Sequence, residues 1–318
     1  MPERVLVTGG AGFIGSHLVE ALLRQGAAVR ALDNFVTGRR ENLAGCLSRI
    51  TLIEGDITDL DTVRRASAGV DYVLHQAALP SVPRSVADPL GSNAANVTGT
   101  LNVLIAAREA GVRRVVYAAS SSAYGNLDAE YKREDMPPDP RSPYAVAKLA
   151  GEHYCRAFTL TYGLETVSLR YFNVFGPRQD PNSQYAAVIP LFITAMLQGQ
   201  PPSIEGDGYQ SRDFTYVDDV VRANLLACTA PGVAGEVINI ACGGEHTILS
   251  VVETLNRLLG TAIAPVFVAP RPGDVRHSRA DIGKAGRLLG YRPQVSFEEG
   301  LARTLQWYRQ GEAAPAGD

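Results

Sequence analysis

The chain has 318 residues, 46% of them hydrophobic and 20% charged, with a formal net charge of -3. That balance describes a folded globular protein, excludes a disordered chain or one that coats nucleic acid, and leaves no apolar run long enough to span a membrane. The length exceeds one ordinary core, so a large domain with a smaller partner lobe is expected. The sequence enters its first strand directly at Arg4, and Cys46, Cys155, Cys228 and Cys242 lie far apart without Cys-x-x-Cys spacing. Both features suit a cytoplasmic protein with reduced cysteines. The five histidines do not cluster as ligands, so no metal is expected.

In chain order, apolar runs predict strands at 4–8, 28–32, 50–54, 72–76, 114–119 and 166–170. Three- and four-residue apolar spacing predicts helices over 13–25, 88–110 and 144–162. This alternation is the signature of a doubly wound parallel sheet, an α/β Rossmann-type fold with helices on both faces. Beyond Arg170 the regularity breaks at Gly- and Pro-rich stretches, 176–182 and 200–208. A helix near 217–228 and a strand near 236–241 follow, so the second lobe interleaves with the first.

Thr8-Gly9-Gly10-Ala11-Gly12-Phe13-Ile14-Gly15 joins the first strand to the first helix, with glycines at Gly9, Gly12 and Gly15. Such a turn lets a pyrophosphate approach a helix N-terminus, where unpaired N–H groups point at the anion. Asp33 closes the second strand 18 positions after Gly15, where a carboxylate can accept both ribose hydroxyls of a dinucleotide and repel a 2'-phosphate. NAD is therefore expected over NADP, although Arg39 and Arg40 lie close by. At the third strand's end, Asp56 and Ile57 can meet an adenine, or Asp56 can cap the next helix.

Tyr144-Ala-Val-Ala-Lys148 sets a phenol and an ammonium one turn apart on one helix face. A free tyrosine titrates near ~10, and a close lysine cation and a positive nicotinamide ring both favour phenolate. Spacing alone also fits two solvated surface residues. Ser120-Ser121-Ser122, at the carboxyl end of the fifth strand and starting 24 residues before Tyr144, places a hydroxyl where ligands of such sheets sit.

With these motifs in order, and Arg271-Pro272-Gly273-Asp274 beyond them, the chain resembles an extended short-chain dehydrogenase/reductase of the nucleotide-sugar 4-epimerase family. The resemblance implies Tyr144 as acid/base, Lys148 as the residue that lowers its pKa and binds the nicotinamide ribose, and Ser120 as the hydroxyl partner. Around NAD it adds Phe13, Ile14, Asn34, Gly38, Ala77, Asn96 and Tyr171. For a UDP-sugar it implies Ser121, Ser122, Asn173, Ala187 and Val188, with Arg212 and Arg271 on the diphosphate and Asp274 on the uridine ribose. The implied organisation is an NAD-binding domain over 1–172, to which 214–244 returns, a UDP-sugar lobe over 173–213 and 245–310, and a frayed tail over 311–318. The helices 88–110 and 144–162 resemble those that pair into a four-helix interface, so a homodimer is expected.

Relatives that eliminate water carry Thr-Asp-Glu at the serine run, and decarboxylating ones a glutamate; this chain has no carboxylate there. Reversible oxidation at carbon 4, with hydride returned to the opposite face, is the chemistry left. Ser278 falls where epimerases limited to plain hexoses carry tyrosine, leaving room for an acetamido group. The expected substrates are UDP-N-acetylglucosamine and UDP-N-acetylgalactosamine, with UDP-glucose and UDP-galactose also admitted, because such a pocket discriminates one added group by only ~1 to 3 kcal/mol. A UDP-hexuronic acid is the alternative, its carboxylate meeting Arg84, which can equally pair with Asp88. A non-catalytic NAD sensor is the alternative of another class; it would need none of Tyr144, Lys148 and Ser120.

Overall fold

The structure, a computed structural model, describes residues 3–127, 129–181, 187–270 and 276–313. Six strands build most of the central sheet: β1 (Arg4–Thr8), β2 (Ala28–Asp33), β3 (Thr51–Glu54), β4 (Tyr72–His75), β5 (Arg114–Ser120) and β6 (Glu165–Tyr171). Between them run α1 (Phe13–Arg24), α2 (Leu60–Ser67), α3 (Val82–Ala87), α4 (Pro89–Asn93), α5 (Gly99–Glu109) and α6 (Pro143–Tyr162). The short strands β7 (Val174–Phe175), β8 (Ser203–Glu205), β9 (Ser211–Arg212) and β10 (Thr215–Tyr216) follow, and β11 (Glu236–Ile240) returns to the sheet. The last strands are β12 (His246–Thr247), β13 (Val266–Val268) and β14 (His277–Ser278). The remaining helices are α7 (Val188–Leu197), α8 (Val217–Thr229), α9 (Ile248–Leu259), α10 (Gly283–Leu289) and α11 (Phe297–Ala313).

The seven-stranded sheet runs β11-β6-β5-β4-β1-β2-β3, with every pairing parallel. Its strands read as apolar runs because both faces are covered. Leu18, Val19 and Leu22 of α1 and Val220, Ala223 and Ala227 of α8 pack on one face; Val63, Val103, Leu104, Cys155 and Phe158 of α2, α5 and α6 pack on the other. Strand order reverses between β1 and β4, and the crevice at that switch point is where a sheet of this kind binds ligand.

The helix expected over 88–110 carries one departure: Ala94–Thr98 winds as a π-turn between α4 and α5. It turns Asn96 toward the loop after β4, where the side chain accepts the Leu79 N–H at 2.8 Å and donates to the Leu79 carbonyl at 3.0 Å. α11 continues to Ala313, past Gly311 where the sequence suggested fraying, and 314–318 lie outside the described residues. Among the described residues no helix is long and apolar enough to cross a membrane.

Candidate active site

A cavity of about 250 Å³ opens at the switch point. Gly9, Gly12, Phe13, Ile14, Gly15, Asp33, Asn34, Asp56, Ile57, Ala77, Tyr144, Lys148 and Tyr171 line it, so the sequence reading converges on one place. Glycine is obligatory at the turn: Gly9 has φ +69°, and a Cβ on Gly15 would lie 1.9 Å from the Gly9 carbonyl oxygen. α1 starts at Gly12 with no side chain capping it, which leaves its first N–H groups available to an anion. Asp33 accepts the Ala11 N–H at 2.9 Å and the Phe35 N–H at 2.8 Å, which spreads the turn and the following loop around its carboxylate. Burial pushes its pKa up and these backbone bonds pull it down.

Two expected cofactor residues stand behind this lining. Gly38 lets the loop close on Asp33, whose Oδ1 would lie 2.6 Å from a Cβ there, and Asn96 spends its amide on Leu79. The cap alternative for Asp56 is corrected: Asp59 caps α2 through the Asp61 N–H, while Asp56 accepts from Thr58 and, at 2.7 Å, from Asn34. Burial raises the Asp56 carboxyl, and the Thr58 and Asn34 bonds outweigh it to hold it below the usual carboxylate range. Arg39 is paired with Asp180 and Arg40 with Glu54, so neither is held ready for a 2'-phosphate.

At the other end of the cavity, Ser142 caps α6 through the Ala145 N–H at 3.1 Å, and Pro143 pre-sets the first helical position. Tyr144 therefore emerges in the first turn and Lys148 one turn later. The Ser120 hydroxyl oxygen accepts the Ser122 hydroxyl at 2.8 Å and the Ser122 N–H at 3.1 Å, which leaves its own proton for Tyr144. None of the three serines is itself in the cavity lining among the described residues; Ser120 acts through Tyr144, and Ser122 through Ser120. Burial pushes the Tyr144 phenol up, and its bond with Ser120 pulls it down. Lys148 donates to the Ala118 carbonyl at 2.9 Å and lies 5.1 Å from the Tyr117 ring centroid; burial brings its pKa down to about 8. The ammonium thus holds the β5 backbone, and in the protein alone the phenol is not tuned toward phenolate.

Below Lys148, one turn along α6, Glu152 meets Arg170 of β6 through bonds of 2.7 and 2.9 Å, both side chains almost wholly buried. Removing one partner of such a pair costs about 3–5 kcal/mol, because the other charge is stranded. Tyr117 donates to the Lys148 carbonyl at 3.3 Å, and a Cβ on Gly151 would lie 2.2 Å from its oxygen, so glycine is what lets α6 sit this close to β5.

A second cavity, of about 570 Å³, adjoins the first along 79–83: Leu79 and Pro80 line one, Ser81, Val82 and Pro83 the other. Its volume falls in the range that holds a small molecule, roughly 300–1,000 Å³. Asn173, Ala187, Val188 and Arg212 line it, as the sequence suggested. Phe175 and Phe214 form its wall, backed by Phe297, which stacks on Phe214 at 5.5 Å and on His246 at 4.1 Å. Asn173 with φ +31° and Ser81 with φ +98° hold left-handed backbone at its rim, where strain tends to collect at functional sites. Ser278 stands one strand away, in register with Arg212, and does not join the lining among the described residues. Arg84 lies on α3 just behind that rim. It is not paired with Asp88, whose carboxylate instead caps α4 at the Gly91 N–H. Arg271 and Asp274 lie outside the described residues.

Sequence reading missed Gln76, Thr37, Leu79 and Pro80, which also line the first cavity. Gln76 had a signal, since it follows the end of a parallel strand; Leu79 and Pro80 gave none beyond their loop.

The model of the NAD dependent epimerase/dehydratase family matches residues 5–241. The chain is 43% identical over 318 residues to the UDP-glucose 4-epimerase of Mycolicibacterium smegmatis, covering 96% of this chain and 98% of that protein. It superposes with a TM-score of 0.93 and 42% identity on a UDP-N-acetylglucosamine 4-epimerase from Methanobrevibacter ruminantium, solved with UDP-N-acetylmuramic acid, covering 98% of this chain and 100% of that one. The Thermotoga maritima UDP-glucose 4-epimerase, solved with UDP-glucose, gives 0.93 at 40% identity over 97% and 99% of the two chains. The glycine turn, the parallel sheet and these matches agree, and the chain belongs to the NAD dependent epimerase/dehydratase family.

Proposed function

We propose that the chain is an isomerase, a 4-epimerase of UDP-hexoses that acts on UDP-N-acetylglucosamine and UDP-N-acetylgalactosamine and also admits UDP-glucose and UDP-galactose. The observation that carries this reading is the Tyr144–Ser120 hydroxyl pair at the end of the first cavity that adjoins the second. Asp33 and Asp56, at the ends of the second and third strands, are the carboxylates in that cavity's lining, so among the described residues the lining sets no acid beside Tyr144 to drive elimination of water.

The residues fit NAD. The uncapped start of α1 suits the pyrophosphate, Asp33 the adenosine ribose, and Lys148 with Tyr171 the nicotinamide end. The chemistry that NAD supplies when bound is reversible removal of hydride from carbon 4. The chain's own part is proton handling and positioning. Tyr144 takes the carbon 4 hydroxyl proton and returns it to the new hydroxyl as the 4-keto sugar turns over, with Ser120 acting on the phenol through their hydrogen bond. The Tyr144 phenol, raised by burial, becomes an effective base once the ammonium of Lys148 and a cationic ring face it together. Arg212, with Asn173 and the backbone of Ala187 and Val188 in the same lining, is assigned to the diphosphate, and the resemblance adds Arg271 and Asp274 to that assignment.

A relative solved with an N-acetylated UDP-sugar acid supports the acetamido sugars, while Ser278 enters only through the resemblance, since it stands one strand from the lining. A neighbour of 36% identity and TM-score 0.90, the UDP-glucuronic acid 4-epimerase of Bacillus cereus, keeps the UDP-hexuronic acids as the second reading, with Arg84 as the candidate contact to the carboxylate. The test is a panel of UDP-N-acetylglucosamine, UDP-glucose, UDP-galactose and UDP-glucuronic acid with separation of products. Epimerisation of the first is the expected result, and turnover confined to the uronic acid would overturn the substrate assignment.

A further inference from the structure

Three side chains far apart in sequence meet beside the reacting end of the first cavity: Gln76 after β4, Tyr171 at the end of β6, and Asn224 midway along α8. Asn224 Nδ2 donates to the Tyr171 oxygen at 2.8 Å and to the Val220 carbonyl at 2.8 Å. Gln76 Nε2 donates to Asn224 Oδ1 and to the Tyr171 oxygen, both at 3.1 Å. The phenol proton of Tyr171 has Asn224 Oδ1 at 3.1 Å and Gln76 Oε1 at 3.3 Å as its acceptors. All four amide protons are thereby engaged, and the phenol oxygen, accepting twice and donating once, has one orientation that satisfies every partner.

β4 and β6 are not neighbours; β5 stands between them, so this triad ties their ends together across it. Gln76 and Tyr171 line the cavity, whereas Asn224 does not and is wholly buried. Its neighbours on that helix face are Val220, Val221, Ala227 and Cys228, and an aliphatic side chain would meet the packing demand equally well. A buried amide needs hydrogen bonds to be tolerated at all, and here those bonds run to two cavity residues. We infer that Asn224 is a positioning residue for the nicotinamide end of the cofactor, acting through the Gln76 amide and the Tyr171 phenol that it orients. The inference rests on the reading that NAD occupies this cavity.

Two variants test it: Asn224→Leu, and the same change combined with Tyr171→Phe. The single variant strands two buried polar groups, so its thermal midpoint falls. The NAD retained through gel filtration and kcat both drop about ten- to a hundredfold, while KM for the UDP-sugar holds. The double variant removes the stranded hydroxyl and recovers much of the thermal midpoint, yet cofactor retention and kcat stay low. Recovery of retention and turnover along with stability would reduce the triad to a structural tie and overturn the inference, as would unchanged NAD retention in Asn224→Leu. A wild-type protein that neither carries nor takes up NAD would instead overturn the reading of the cavity itself.

Discussion

Tyr144 is a half-buried phenol in the cavity lining whose proton-transfer oxygen can be removed without disturbing its ring. Tyr144→Phe should therefore keep NAD through purification and leave the thermal midpoint near that of wild type. Epimerisation should fall about 10²- to 10⁴-fold, the usual worth of a positioned acid/base. Near-normal turnover in that variant would remove Tyr144 from the mechanism. The pair was legible because a helix fixes i and i+4 on one face; that Lys148 grips the Ala118 carbonyl was not, because nothing in the spacing says how a long side chain settles. Ser278 carries a sharper risk. Ser278 stands one strand from the lining, so Ser278→Tyr reaches the volume assigned to an acetamido group only if its ring extends past Arg212, and overpacking there costs about 1–3 kcal/mol. Activity on UDP-N-acetylglucosamine should be lost while that on UDP-glucose largely survives. Proportional loss of both would make Ser278 a packing position, and no loss of either would turn it away from the sugar.

Strands and helices meet at His75, which closes β4 and is wholly shielded from solvent. Thr100 of α5 donates its hydroxyl to the Asn96 carbonyl at 2.7 Å, so it must accept from His75 Nε2 at 3.0 Å. Nδ1 then accepts the Thr8 hydroxyl of β1 at 2.7 Å, and the Thr8 oxygen is left for the Ala77 N–H at 3.3 Å. One neutral tautomer thus ties β1, β4 and α5 to the cavity loop. Burial and the Lys148 charge bring the pKa of this imidazole down to about 3, against 6.5 when free. Between those values the unfolded chain binds the extra proton, so stability is full above pH 6.5 and declines as pH falls toward 3. His75→Gln cannot titrate and should flatten that part of the urea-midpoint profile; an unchanged slope would exclude His75 as its source. Apolar periodicity showed the elements that meet here, since each strand is buried on both faces and each helix on one. It could not show the π-turn at Ala94–Thr98 or the triad of Gln76, Tyr171 and Asn224, because these depend on which distant strand ends come to lie side by side.

For the whole molecule, α3 to α6 leave Val86, Leu90, Val146 and Leu160 exposed, Leu90 at 83% and Leu160 at 76%, on helices that a monomer would leave solvated. Pairing across a two-fold axis would cover them. Light scattering should therefore give twice the chain mass at micromolar concentration, and Leu90→Asp with Leu160→Asp should give single chains; a monomeric wild type would remove the idea. The resemblance implied that 214–244 returns to the larger domain, whereas the parallel pairing of β11 beside β6 had to be observed. The fate of the hydrogen at carbon 4 tests the proposed reaction most directly. UDP-N-acetylglucosamine bearing deuterium there, incubated with the purified protein and no added cofactor, should yield UDP-N-acetylgalactosamine with the deuterium still on carbon 4. Deuterium lost to solvent, deuterium delivered to carbon 6 with loss of water, or no change in the sugar would contradict it.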